Sequence, residues 1–477
     1  TDVFLILVFA AVTTATVLLY RKLVNPSFQQ IKNNNWFHAP IFLLATAFLI
    51  LPIRGSLDIG PMNTGTVFFH KKNPFANQSA INLFWNFGDS VTKSLEVESY
   101  PENFLNKDLT STSFQSLYDS IATESVQIIK EKPNVLLILL ESFTAKTIAV
   151  LGGIEGVTPN INELSKEGLL FENFYSSGSR TDQGLTTVLS AFPAQPKTSI
   201  ITYTKKSESL PKLNHSFLKQ GYSTSFIYGG DPNFANINSY LNMCMFDEIV
   251  TKYDFDSELS TSKWGIHDGP MFDFVYDKIS SSQQPFFTTF LTLSSHEPFD
   301  VPMNSEFNST EEEDMFLNSA HYTDEELGKF INKLKSTELW DNTLVIITAD
   351  HGIRHPGNSK VYESVKFHIP MLWLGGALLA KDSVISKYAS QTDIAATLLN
   401  QLNMDASEFK YSKNILSKDA KSFAFFDYNN GFGYLDDNSE VIFDLNNNEL
   451  IHFKGDSSII TIGKSYLQTI YTDFNNR

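Results

Sequence analysis

The sequence predicts an α/β fold: a mainly parallel sheet with helices on both faces, preceded by transmembrane helices and followed by a small β element. Three observations carry this. From residue 131 short apolar runs alternate with helical stretches, the βαβ pattern of a parallel sheet. The runs are continuous rather than alternating, as in Val135 to Leu140, where five Leu or Ile follow one Val; such a strand is covered on both faces. Far ahead of them, Val3 to Tyr20 carries no charge and is long enough to cross a bilayer.

Taken in order, residues 1–55 read as a transmembrane region of two spans. A second apolar run, Ala39 to Ile53, follows Trp36 and Phe37, which suit an interface. Arg21, Lys22 and Lys32 lie between the runs with no acid among them, so that loop is expected inside and everything after Ile53 outside the cytoplasm. The other reading is two buried helices of a soluble domain. Residues 56–130 are polar, rich in Asn and Ser, and read as a juxtamembrane connector. Residues 131–420 form the catalytic domain. Its strands include "NVLLILL", "STSFIYGG", "PFFTTFLTLSSH" and "NTLVIITADHG", and its helical stretches include "NINELSKEGLL", "GLTTVLSAF", "PMFDFVYDKI" and "HYTDEELGKFINKLK". Residues 421–477 open with strand–turn–strand texture from Phe423 to Leu450 and read as the terminal β element.

Composition excludes several classes. With 42% hydrophobic and 19% charged residues the chain is not disordered. A net charge of −17 argues against a nucleic-acid partner, whose phosphates it would repel. Cys244 is the single cysteine, so an intramolecular disulfide and a C-x-x-C metal site are ruled out, and it reads as a small buried hydrophobe. The 40 phenylalanines are assigned to packing.

Sites in open parallel sheets form beyond the carboxyl ends of the strands. Glu141 stands there after "LLILL", and Asp350 and His351 stand there after "LVIITA". Two carboxylates and an imidazole suit Mn²⁺, Zn²⁺ or Mg²⁺. Each motif alone is equally a helix N-cap or a loop acid; together they favour a metal. In "SSGSRTDQGLTTVLSAFPA", Ser176 to Ala194, small residues lead into a helix expected to start near Thr181 and Asp182. A hydroxyl at a helix N-terminus sits in a positive field that suits a phosphoryl group. Thr181 is either a nucleophile there or a plain N-cap, and Arg180 offers a guanidinium to an anionic oxygen. His296 follows the strand in "LTLSSHEPFD", where it can donate to a leaving oxygen or hold the substrate.

These pieces, in this order, resemble the lipoteichoic acid synthase-like membrane sulfatase family of the alkaline phosphatase superfamily. The residues carrying the resemblance are "NVLLILLESF", "SGSRTDQGLTTVLSAFPAQP", "WGIHDGPMFDFVYD", "TLSSHEPF", "HYTDEELGKFI" and "NTLVIITADHG", with "RGSLDIGPMNTG" and "NPFANQSAINLFWNF" near the membrane. The resemblance implies a multi-span membrane domain in the cell's inner (plasma) membrane, cut short in this chain, and an extracytoplasmic catalytic domain. It implies a divalent metal, often manganese, held by Glu141, Thr181, Asp350 and His351. Thr181 would be both nucleophile and ligand, and His296 would contact substrate. The implied reaction is attack of Thr181 on a membrane phospholipid head group, release of diacylglycerol, and transfer of the phosphoryl alcohol from the threonine to a glycan or other envelope acceptor, or to water.

One stretch departs from the pattern. Glycerol phosphate polymerases of this family carry a Phe-Trp-Asn-Arg-like segment. Here "YGGDPNFANINSY" keeps Phe234 and Asn236, the latter a substrate-binding candidate, and lacks the Trp and Arg. The transferred group therefore stays open between phosphoglycerol and another phosphoryl alcohol such as phosphoethanolamine. A true sulfatase needs a C-x-P/A-x-R or S-x-P-x-R segment; neither Cys244 nor Ser179 with Arg180 supplies the spacing. A catalytically dead scaffold has no reason to keep Glu141, Thr181, Asp350 and His351 together.

Overall fold

The structure is a computed structural model that describes residues 63–97 (except 72), 104–118, 126–307 and 311–477, with short stretches within 14–24 and 40–49. The apolar run 3–20 lies for the most part outside the described residues, and the run 39–53 lies partly outside them. Among the described residues no helix is long and apolar enough to cross a membrane. Residues 1–62 and 63–477 are separate units, and the second carries the sheets and the principal helices.

The strands are β1 (Asn134–Leu140), β2 (Leu169–Phe171), β3 (Phe174–Tyr175), β4 (Ser223–Tyr228), β5 (Glu248–Thr251), β6 (Phe286–Leu291), β7 (Thr343–Ala349), β8 (Met371–Leu374), β9 (Ser383–Ile385), β10 (Ala389–Ser390), β11 (Phe423–Tyr428), β12 (Gly431–Asp436), β13 (Glu440–Asp444) and β14 (Glu449–Lys454). The principal helices are α1 (Leu83–Val97), α2 (Lys107–Gln115), α3 (Pro159–Ser165), α4 (Thr181–Ser190), α5 (Ile237–Cys244), α6 (Asp268–Ser281), α7 (Glu312–Lys335), α8 (Asp393–Gln401) and α9 (Ser458–Asn476).

The main sheet has the order β5-β4-β6-β1-β7-β8-β2-β9. Its first five strands are mutually parallel, and β8 runs antiparallel to both its neighbours. The continuous apolar run that ends at Leu140 forms the middle of this sheet. Every residue of β1, β6 and β7 is buried, so these strands need no polar face. Because β6, β1 and β7 are parallel neighbours, their carboxyl ends lie side by side. In register Leu140 is opposite Ala349 and Leu139 is opposite Leu291. The next residues along, Glu141 and Asp350, are thereby delivered to one place.

The terminal β element is a four-stranded antiparallel sheet, β11-β12-β13-β14. Phe423, Phe425, Phe432 and Phe443 pack with Tyr466, Ile470 and Phe474 of α9. Ala424, Phe426 and Ile442 pack on the opposite side with Tyr175 and Phe367. This period-two split explains why "FAFFDY" is almost wholly apolar: both faces of the sheet are covered. Helix α9 went unmarked in the sequence, because its small and polar residues blur the apolar stripe.

The segment read as a connector is docked rather than free over its described part. Gly65 N–H donates to Asn236 Oδ1 at 3.0 Å, Asn63 Nδ2 donates to Asn233 O at 2.7 Å, and Asn242 Nδ2 donates to Phe68 O at 3.0 Å. Helix α2 packs on α9. Cys244 is fully buried, and burial pushes its thiol up to about 12, so it is inert at neutral pH.

Candidate active site

The site begins at the sharp end of β1. Ser142 has φ +54°, a left-handed conformation uncommon outside glycine. Its N–H donates to Asp350 Oδ1 at 2.9 Å and its hydroxyl donates to Glu141 Oε1 at 2.8 Å. One residue thus ties the β1 and β7 carboxylates together. From β6, Thr292 Oγ1 accepts the Glu141 N–H at 2.9 Å, and Ser295 Oγ donates to the Glu141 carbonyl at 2.7 Å. Gln391 Nε2 donates to the Asp350 carbonyl at 2.6 Å.

Ligand-type atoms of Glu141, Asp350 and His351 all lie within 4.8 Å of one another, and all three residues are buried. His351 Nε2 is 3.7 Å from Glu141 Oε1 and 3.6 Å from Asp350 Oδ2. The imidazole Nδ1 is 3.1 Å from the Gly352 carbonyl; an Nδ1–H tautomer donates there and turns the Nε2 lone pair toward the carboxylates. Asp350 Oδ2 is buried with no hydrogen-bond partner. A buried carboxylate oxygen left without a partner is costly, and a divalent cation would supply one. The donor set, two carboxylates and an imidazole, fits such an ion.

Burial, and then the charge of Asp350, raise the Glu141 carboxyl well above its ordinary 4.5. In the metal-free chain Glu141 therefore holds a proton that the unfolded chain has already released. Its contribution to stability is full below 4.5 and is lost as pH rises through the raised value. Thermal melts in chelator are expected to show the wild type losing stability with rising pH relative to Glu141→Gln. Parallel curves for the two proteins would refute this.

Thr181 is the first residue of α4, with Arg180 in extended conformation at the cap position. Arg180 makes no side-chain cap bond, and its Nε lies 3.8 Å from Asp182 Oδ1. Thr181 Oγ1 donates to Glu141 Oε2 at 3.4 Å, which brings the expected nucleophile to the acid cluster. What holds α4 so close is Gly184: a Cβ there would stand 2.1 Å from the Asp350 carbonyl oxygen. Gly184→Ala would gain up to about 1 kcal/mol of helix propensity, but the clash is with backbone that has no room to move. Overpacking of this kind costs about 1–3 kcal/mol. We expect net destabilisation in urea unfolding together with impaired turnover; a stabilised, fully active variant would contradict the packing argument.

The cluster opens into a cleft of about 580 Å³, lined among others by Thr181, Arg180, Phe234, His296, Arg354 and Lys366. His296 Nδ1 is 2.9 Å from the Glu297 carbonyl. Burial lowers its pKa below the usual imidazole value. His296 is therefore neutral at pH 7, and with Nδ1–H donating to that carbonyl its Nε2 is an acceptor. Trp264 lies against it with ring centroids 4.5 Å apart and meets Phe234 edge-on at 5.9 Å. A tryptophan from another loop thus stands between Phe234 and His296. Lys146 donates to the Arg354 carbonyl at 2.7 Å and to Ser359 Oγ at 2.8 Å, bracing the opposite wall. From the terminal sheet, Asp427 is buried near Arg180; burial pushes its carboxyl well up and the Arg180 charge pulls it back.

The structure thus gathers Glu141, Thr181, Asp350, His351, Arg180 and His296 around one cleft. Asn236 is elsewhere. It is 4% exposed, its Oδ1 accepts the Gly65 N–H, and its neighbours Phe234 and Ala235 line the cleft in its place. The position expected to touch substrate instead anchors the segment that follows residue 62. Ser142, Thr292, Gly184, Gln391 and Trp264 were not among the site residues expected from sequence. Ser142, Gly184, Trp264 and Thr292 lie within the stretches that carried the resemblance, but none was singled out; Gln391 lies outside them.

Comparison with known proteins places the chain in a family. The Sulfatase family matches residues 133–404. Lipoteichoic acid synthase 2 of Bacillus subtilis is 28% identical over 316 residues, covering 61% of this chain and 48% of that protein. Phosphoglycerol transferase I of Xanthomonas campestris is 24% identical over 315 residues, covering 62% and 44% respectively. The chain spans about half the length of these relatives. A Vibrio parahaemolyticus protein described as a member of the alkaline phosphatase superfamily superposes with a TM-score of 0.68 at 24% identity, over 78% of this chain and 97% of that one.

Proposed function

Because the chain belongs to the sulfatase family, as a lipoteichoic acid synthase-like member of the alkaline phosphatase superfamily, we propose that it is a metal-dependent transferase of a phospholipid head group. The observation that carries this reading is the Thr181 hydroxyl, 3.4 Å from Glu141 Oε2 at the mouth of a buried cluster of two acids and an imidazole. Glu141, Asp350, His351 and Thr181 would hold a divalent cation, with Mn²⁺ the first choice and Mg²⁺ or Zn²⁺ alternatives. When bound it supplies positive charge against the phosphoryl oxygens and favours ionisation of the threonine hydroxyl.

The chain's own groups do the rest. Thr181 Oγ forms a bond to phosphorus as the bond from phosphorus to the diacylglycerol oxygen breaks, and that oxygen takes its proton from water in the open cleft, since neutral His296 with Nδ1–H bonded to the Glu297 carbonyl has none to give from Nε2. The threonine proton leaves toward Glu141 Oε2, the acceptor it already faces. The N-terminus of α4 and Arg180 favour the negative charge of the phosphoryl group. The resulting phosphothreonine ester is attacked by an acceptor hydroxyl, which loses its proton to water; Thr181 is the leaving group and takes back the proton held by Glu141. Neutral His296, with Nε2 as acceptor, holds a hydroxyl of the head group or of the incoming acceptor.

Phosphoglycerol is the preferred transferred group. Similarity to a lipoteichoic acid synthase and a phosphoglycerol transferase supports that choice, and phosphoethanolamine stays the second reading. A glycan or other envelope hydroxyl is the acceptor, and water would make the enzyme a phosphodiesterase. Two uncharged apolar runs ahead of residue 63 support a multi-pass place in the plasma membrane with the catalytic domain outside. The test is purified protein with Mn²⁺ and a panel of head-group-labelled lipids. Diacylglycerol release with label appearing on an added acceptor supports transfer. Absence of release from every lipid sinks the reading.

A further inference from the structure

Helix α1 is turned the wrong way for a protein surrounded by water. Leu83, Phe84, Phe87 and Val91 share one face at helical spacing, and Trp85, off that face, is exposed as well. They are exposed by 64%, 62%, 66%, 44% and 47% respectively. Asn86 and Asp89 lie away from that face and, with Ser90 at its edge, line a crevice against Thr204 and Lys205 of the folded body. The polar side is thus turned in and the apolar side out. Phe69 and Phe75, just before the helix, are also largely exposed. Isolated exposed hydrophobics need no explanation, but seven of them within 23 consecutive residues form a patch.

We propose that this face, Phe69 to Val91, is a membrane-docking surface that seats in the interfacial layer of a lipid bilayer. Two further observations select lipid as the occupant. The first is position: the chain ahead of residue 63 contains the two uncharged apolar runs, and the patch begins within seven residues of it. The second is composition. Four Phe and one Trp suit the boundary between head groups and acyl chains, where amphipathic helices lie in the plane of the surface. The docking is also coupled to the site. Asn63 and Gly65 are bonded to Asn233 and Asn236, which flank Phe234 on the cleft wall, and Thr202 lines both the cleft and the crevice beneath α1. A bilayer against α1 therefore lies beside the cleft mouth, where a lipid head group is presented without leaving its leaflet.

The test uses the full chain reconstituted in phosphatidylglycerol–phosphatidylethanolamine vesicles. Phe87→Cys, and separately Phe84→Cys, are labelled with an environment-sensitive fluorophore; Cys244 is buried and stays unlabelled. Lys454→Cys on edge strand β14 is the aqueous control. The expected result is quenching of the 84 and 87 labels by lipids bearing a nitroxide near the head group, with protection from acrylamide, and the reverse at 454. Labels at 84 and 87 that acrylamide reaches as freely as at 454 would overturn the proposal. So would labels shielded from both quenchers, because a protein surface, either this chain's own apolar runs or a second copy, would then cover the face. The readout requires no turnover, so it stands or falls separately from the reaction proposed above.

Discussion

Thr181→Ala is expected to lower turnover of a phospholipid donor by roughly 10⁴-fold or more, the scale seen when a covalent nucleophile is deleted. The fold should survive. The side chain gives no cap to its helix, whose cap position is Arg180, and its bond to Glu141 is long, at 3.4 Å. Alanine is also well accepted in a first helical turn. Melting temperature of the metal-free protein should therefore stay near wild type while diacylglycerol release disappears, and Mn²⁺ should bind more weakly because one of its four proposed ligands is gone. Thr181→Ser keeps the hydroxyl and should retain partial activity. A complementary measurement is mass spectrometry after a brief incubation with donor: the peptide containing Thr181 gains one phosphoryl alcohol in the wild type and nothing in the alanine variant. Full activity in Thr181→Ala would remove the nucleophile assignment outright.

The second large effect is expected from Asp350→Asn. Asp350 Oδ1 accepts two backbone N–H groups, from Ser142 at 2.9 Å and His351 at 2.7 Å. An asparagine oxygen can accept both, so the local backbone is preserved. What changes is Oδ2, buried and without a partner, beside a Glu141 whose carboxyl is already raised by burial and by the Asp350 charge. Removing that charge relieves the repulsion, and the metal-free variant should be at least as stable as metal-free wild type. With metal the order reverses. Wild type gains about 2.7 kcal/mol when the ion is present at 100 times its dissociation constant, and the variant, short of one anionic ligand, gains little. Paired melts with and without Mn²⁺ read both halves. Equal metal-induced stabilisation of the two proteins would exclude Asp350 as a ligand.

Much of this site was legible because parallel sheets put chemistry where apolar runs end. Glu141 and the Asp350–His351 pair each stand one residue beyond a continuous hydrophobic strand, and Thr181 stands where a small-residue loop turns into a helix. Those are local facts, and local facts survive in a sequence. Asn236 shows the opposite case. Its place in a motif-like segment suggested contact with substrate, yet its amide is committed to Gly65, about 170 residues away. Trp264 stands at the head of the stretch "WGIHDGPMFDFVYD", but its closeness to His296 is a tertiary fact that the stretch does not spell out. Gly184 reads as an ordinary glycine until the carbonyl of Asp350 is found against it.

By itself the sequence determined the βαβ class, the central strands, the acidic and hydroxylic residues at their ends, and the two apolar runs ahead of the folded unit. Hydrophobic period and strand termini are properties of neighbouring residues. Only the tertiary structure decided the strand order β6-β1-β7, and with it the meeting of Glu141 and Asp350, since order in a sheet depends on crossovers rather than on any one strand. It also decided that α1 presents its apolar face outward, because a helix's pattern defines two faces and packing alone chooses which of them meets the protein.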